Sequence, residues 1–338
     1  MNVALAPSPR RFLIPTIFAM LLAAFWLELQ TLPLAHQFSA PLAPAFAGFA
    51  VLLAPLWFFA FGAGERLRAF FQASDSDGAT VHPARVALRI AAPSVLVVPY
   101  LLYALPVHEF QWRFALALSL LPVVLSAVLE IAPKVQRLVW QDAIVLLALA
   151  LTLETGLLGG AWPHPGLGSL PKLYLCDVAL YSFLVVRGVE GTGYCFKPSV
   201  AAFAIGAREW LLFFPFAIGL GFALHFIRFY PRVHSAAHVA TEVLVTFLLT
   251  AVPEELFFRG LLQNLLEPHL GRLRSLLVAS ALFGLAHFHH GAAFNWRYVI
   301  LAAIAGVFYG RAWRARRQLL ASSFTHALVD AVWSLWFR

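Results

Sequence analysis

Hydrophobic positions in this chain come in long unbroken stretches. They show neither the alternation of a half-buried strand nor the single stripe of a soluble helix. Apolar runs of roughly 20 residues, the length a helix needs to cross a bilayer, recur from Phe12 to the C-terminal end. They predict spans over 12–32, 41–62, 86–106, 114–132, 138–158, 172–187, 209–230, 240–262, 274–289, 298–312 and 318–336. The expected fold is an all-α polytopic transmembrane helical bundle of about 9–11 spans. The stretch 172–187 is short and carries Asp177. The run 12–32 follows Arg10-Arg11 as a signal peptide would, but it is longer than an h-region and lacks a small-x-small cleavage pattern. It reads as a retained first span.

Composition points to the same solvent. Hydrophobic residues make up 61% of the 338 and charged residues 12%, where a soluble domain carries about a quarter charged. The net charge of +8 is therefore no nucleic-acid footprint, because basic residues in such a chain mainly set orientation. With the N-terminus cytoplasmic, eighteen of the 24 lysines and arginines fall in inside loops, and six, Lys172 among them, fall outside. The two cysteines, Cys176 and Cys195, give no disulfide framework and no Cys-rich metal site. ASDSDG (73–78) reads as an interhelical linker, and GGAWPHPGLGSLP (159–171) as an ordered outer loop near an interfacial Trp162.

Nearly all of the chemistry lies in the last third, which divides the chain into a transmembrane region of unassigned role, 1–237, and a core, 238–338. At 251–260 the sequence reads AVPEELFFRG. Charged side chains inside a span are costly, rare and usually functional. Glu255 and Arg259 stand at i and i+4 with the acid first, the favourable order for a helical pair. Glu254 lies about 100° round the helix and is not satisfied by that pair. Phe283 and His287 share a face, as do His326 and Asp330. Pro253 predicts a kink beside Glu254, while Pro268 and Gly271 predict a turn near residue 270. An antiparallel hairpin about that turn brings Glu254 and His287 to the same height, with His326 near that level. A carboxylate and two imidazoles meeting there can hold and deprotonate a water, or bind a metal.

These residues also carry a resemblance. EELFFR (254–259), FGLAH (283–287) and HALVD (326–330) resemble, in order, the EExxxR, FxxxH and HxxxN/D motifs of the CPBP family, the type II CAAX prenyl proteases and Abi (bacteriocin-processing) proteins. The resemblance covers roughly 238–338. It implies an intramembrane endopeptidase in which Glu254 and His287 activate water. His326 and Asp330 would stabilise the oxyanion, while Glu255, Arg259 and Phe283 support the site. The family's debated mechanism leaves a zinc ion open, with Glu254, His287, His326 and Asp330 as the candidate ligands. Prenyl proteases usually have Asn where this chain has Asp330. An ionised Asp cannot donate to an oxyanion, so Asp330 must be protonated, orient His326, or ligate a metal. The whole chain also resembles the CAAX prenyl protease-related proteins of bacterial exosortase systems, which implies a multi-pass protein of the bacterial inner membrane whose substrates are not prenylated.

The expected partners are thus a membrane-associated protein or peptide substrate and the bilayer itself, without nucleic acid; the sequence is silent on oligomeric state. Three other readings stand beside the protease. A proton-coupled transporter would use the acids and histidines as a relay, but repeats are missing and the polar residues are confined to three elements. An exosortase-like cysteine transpeptidase would need Cys176 or Cys195 to converge with a His and an Arg. A non-catalytic membrane partner would keep a relict site.

Overall fold

The computed structural model describes residues 42–72, 82–164, 166–195, 199–289, 291 and 294–337, with Pro15, Phe18–Met20, Leu22, Ala23 and Trp26. The expected span 12–32 thus lies largely, and the linker 73–78 wholly, outside the described residues. The described chain folds into α1 (Leu42–Ala60), α2 (Ala63–Gln72), α3 (Pro83–Ala104), α4 (Trp112–Glu130), α5 (Trp140–Glu154), α6 (Ser169–Arg187) and α7 (Val200–Ala223). A continuous run, Ala236–Leu285, follows. Gly271 interrupts it with φ 74° and ψ 173°, a backbone that favours glycine, and so divides it into α8 (236–270) and α9 (272–285). The last two helices are α10 (Trp296–Arg316) and α11 (Leu319–Trp336).

Six of these runs are long and apolar enough to cross a membrane: α1, α3, α4, α6, α7 and Ala236–Leu285. The protein is a multi-pass, all-α membrane bundle, and no strand occurs among the described residues. Shorter or more polar helices complete it. One is α11, whose Ser322, Ser323, His326 and Asp330 dilute an otherwise apolar sequence.

Differences from the predicted spans have local causes. Gly62, at φ 87°, ends α1 early, and the charged stretch after it forms the amphipathic α2 instead of a loop. The predicted span 209–230 begins nine residues sooner, at Val200, where Ser199 accepts from the Ala202 amide as an N-cap. Glu209, at the predicted start, is instead buried and ion-paired inside the helix. In the loop 159–171, Leu167 is buried and His164 meets Glu109 at 2.8 Å, so it is ordered as expected; Pro165 lies outside the described residues. Trp162 is not interfacial. It is buried edge-on against Tyr100 at 6.0 Å.

The main core runs from Ala45 to Leu319 and joins α1, α3, α4, α5 and α6 to Val252, Leu256, Leu261 and Leu265 of α8. At its centre is α6, the most deeply buried of the candidate spans. Its Arg187 pairs with Asp142 at 2.9 Å, both side chains fully buried, and Glu130 pairs with Arg89. Asp177, also in α6, differs: it is buried and neither carboxyl oxygen has a hydrogen-bond partner.

Candidate active site

Pro253 has no N–H to offer the helical ladder. The chain answers not with a simple kink but with π-helical turns on both sides. Phe247–Ala251 precedes, and Leu256–Gln263 follows, one short α segment, Val252–Glu255. Such insertions are common at functional sites, and here they frame both glutamates. After Gly271, α9 returns alongside α8, and Phe258 packs on Phe283 with ring centroids 5.1 Å apart.

Glu255 and Arg259 form the floor. Both side chains are fully buried, with Nη1 of Arg259 3.1 Å from Oε1 of Glu255. That contact lacks hydrogen-bond alignment, so it acts as charge attraction. Nη2 of Arg259 donates to the Gly306 carbonyl at 3.0 Å, and its guanidinium lies 4.6 Å from the Phe283 ring centre and 5.3 Å from that of Tyr309. Gly306 permits this approach. A Cβ there would meet Ser280 at 3.1 Å and Arg259 at 3.2 Å.

His326 stands on that floor. Its Nδ1 lies 2.9 Å from Oε1 of Glu255, while its Nε2 lies 3.3 Å from Oδ2 of Asp330 and 3.8 Å from Oε2 of Glu254. The ring stacks on Tyr309 at 4.5 Å. Both imidazole nitrogens therefore face carboxylates. His287, in the turn after α9, has Nδ1 2.8 Å from the Phe283 carbonyl. A carbonyl only accepts, so Nδ1 carries the proton and Nε2 is the acceptor. Its ring packs against Phe283 and Tyr298 at 4.8 and 4.6 Å and lines the same cavity as His326 and Asp330. His326, Asp330 and both glutamates are thus gathered in one place, with His287 on its margin.

The sequence reading missed Lys172. It counted this residue as the outer edge of a span, whereas its Nζ donates to Oε1 of Glu254 at 2.7 Å. Lys172 lies in the first turns of α6, so the site includes a residue from the N-terminal region. A lone lysine among Leu170, Leu173 and Leu175 was the available signal, since a charge inside an apolar run is itself a pointer to function.

Two cavities meet here. An inner one of about 80 Å³ has His287, His326 and Asp330 at one end and apolar walls from Phe213, Ala217, Leu301 and Ala305. An open one of about 340 Å³ is lined by Gly291, Asn295 and Ser334. Both share Phe226, Tyr298, Asp330, Trp333 and Phe337 in their linings. Their rim is tied down by the Tyr230 amide donating to the Trp336 carbonyl at 2.8 Å.

The donors suit zinc by type but not by arrangement. Among the described residues no group of three or more His, Cys, Asp and Glu side chains is placed to hold a metal ion. Glu254 is engaged by Lys172, and His326 by carboxylates on both nitrogens.

Fold and site together define a polytopic helical membrane protein with a carboxylate–histidine cluster opening on a cavity. Residues 236–332 match the family model described as type II CAAX prenyl endopeptidase Rce1-like. The match covers under a third of the chain. That segment is thus similar to the type II CAAX prenyl endopeptidases. No curated protein matches the chain, and no solved structure does.

Proposed function

We propose that the protein is an intramembrane endopeptidase that hydrolyses a peptide bond in a membrane-associated protein or peptide, with residues 238–338 as the catalytic core and 1–237 as its frame. Given the resemblance to exosortase-associated proteins, we place it in the bacterial inner membrane. The observation that carries the reading is the convergence of Glu254, His326 and Asp330 beside a cavity that also receives His287.

Glu254 is the general base. Lys172 fixes its Oε1 and leaves Oε2 toward His326, 3.8 Å from Nε2; a water shared with Nε2 of His287 loses its proton to Glu254 as it attacks the scissile carbonyl. His326, held from below by Glu255 through Nδ1, donates its Nε2 proton to the oxyanion, which replaces the 3.3 Å contact with Asp330 as the charge forms. Asp330 orients His326 and does not itself touch the oxyanion. The proton taken by Glu254 goes to the leaving amine. No step is routed through a metal.

The competing readings find less support. Cys176 is buried in the main core, and neither cysteine lines the cavities that hold the histidines, as a transpeptidase would require. The apolar walls of the inner cavity suit an apolar substrate segment better than a hydrated transport path.

Two variants test the assigned roles. Asp330→Asn keeps the shape but removes the charge that orients His326, and activity should fall about tenfold or more; retained or raised activity at high pH would make Asp330 a protonated donor instead. Lys172→Met should cost about 10²-fold by letting the base shift, chiefly in kcat, and Lys172→Arg should restore part of it. Unchanged kcat in Lys172→Met would remove Lys172 from the account. The reading as a whole is tested by comparing new protein C-termini in membranes of cells carrying the native chain or Glu254→Gln. Termini that depend on Glu254 support it, and identical sets contradict it.

A further inference from the structure

At the end of the bundle away from the histidines, four arginines converge on one open pocket of about 290 Å³. Arg208, Arg272, Arg311 and Arg314 line it, with Glu209 as the lining carboxylate. Glu209 is buried, its side chain 1% exposed. It accepts from Arg208 at 2.7 Å, and Arg311 lies 3.0 Å from its other oxygen as a charge contact without hydrogen-bond alignment. Nη1 of Arg314 donates to the Arg272 carbonyl at 3.0 Å. Arg272 has only a loose contact, 3.5 Å, with Glu267, which Arg317 already holds at 2.8 Å.

Basic residues at this end are expected from orientation alone. Orientation does not require three helices, α7, α9 and α10, to aim their arginines into one cavity around a buried carboxylate. Four guanidinium groups and one carboxylate line it, with Glu267 touching only Arg272 among them. Each carries five N–H donors, and the described contacts use a minority of them. Such an excess of unused guanidinium donors suits a phosphate, which arginine forks bind in bidentate fashion.

A second observation selects the source of that phosphate. Directly along the helices from the pocket, α7 exposes Leu211, Leu212 and Phe216, and α9 exposes Leu273 and Leu277. Arginines next to exposed apolar residues on these helices have the layout that an amphiphile would match. We propose that this pocket binds the phosphate of an anionic phospholipid, whose acyl chains lie along α7 and α9. The site is separate from the carboxylate–histidine cluster and does not depend on proteolysis. Basic pockets between spans recognise lipid headgroups in this way.

The test uses the full chain in a neutral detergent, with phosphatidylglycerol, phosphatidylcholine or inorganic phosphate added, read by native mass spectrometry and thermal unfolding. The native protein should retain phosphatidylglycerol at least about tenfold better than phosphatidylcholine, gain thermal stability from it, and lose both with rising salt. Arg272→Gln/Arg314→Gln, which leaves the Glu209 cluster intact, should lose the preference. Should that variant not fold, the lipid and salt titrations of the native protein decide alone. Equal retention of the two lipids, or an unchanged preference in the double variant, overturns the proposal. Stabilisation by inorganic phosphate as strong as by phosphatidylglycerol overturns it too, by making this a soluble-anion site.

Discussion

Arg259→Leu is expected to cost the folded state about 3–5 kcal/mol, because it leaves the Glu255 carboxylate buried without its cation. Both side chains are fully buried, so water cannot compensate. The loss reaches further than one pair. Arg259 also donates to Gly306 of α10 and sits among the rings of Phe283 and Tyr309, which pack on His326. Thermal unfolding in detergent should show a much lower transition and poor folded yield. Glu255→Leu/Arg259→Leu should recover much of the stability, since exchanging a whole buried pair for apolar groups is often neutral. Native-like unfolding of the single variant would mean that Arg259 is not the closed cation described here.

Glu254→Gln has the opposite profile. The amide keeps the shape of the carboxylate and can still accept from Lys172 through its carbonyl, so the fold should survive. Deprotonation of water is lost, and a positioned general base is worth about 10²–10⁴-fold in rate. His287→Ala should also reduce activity while leaving the Glu255–Arg259 floor in place. Loss of folding in Arg259→Leu and loss of turnover in Glu254→Gln are thus predicted from adjacent turns of one helix. The different burial and partners of the two residues account for the split.

Much of this arrangement was legible in the sequence, for identifiable reasons. The i, i+4 spacing of Glu255 and Arg259 fixed their pairing, because helical geometry puts those positions on one face. Pro268 and Gly271 marked the reversal that the chain makes at Gly271. His326 and Asp330 meet at 3.3 Å as their spacing required. Two things could not be read from local pattern. The contact between His326 and Glu255 joins residues 71 positions apart and depends on how α11 leans on α8. Lys172 reaches Glu254 across 82 positions, from a helix whose central place in the bundle no periodicity reveals. The start of α7 was obscured for a similar reason. The predicted start at 209 falls inside the helix, where Arg311 of α10 closes the ion cluster of Arg208 and Glu209.

The most direct test of the central claim is hydrolysis by the purified full chain in liposomes, in water enriched in oxygen-18. The probes are a farnesylated C-terminal CAAX reporter peptide and a set of unprenylated membrane-spanning peptides, and mass spectrometry reads the new C-termini. The account predicts cleavage of at least one probe, with the heavy oxygen in the new carboxylate, and loss of that product in Glu254→Gln despite an unchanged fold. Equal product from the native chain and from Glu254→Gln would contradict it.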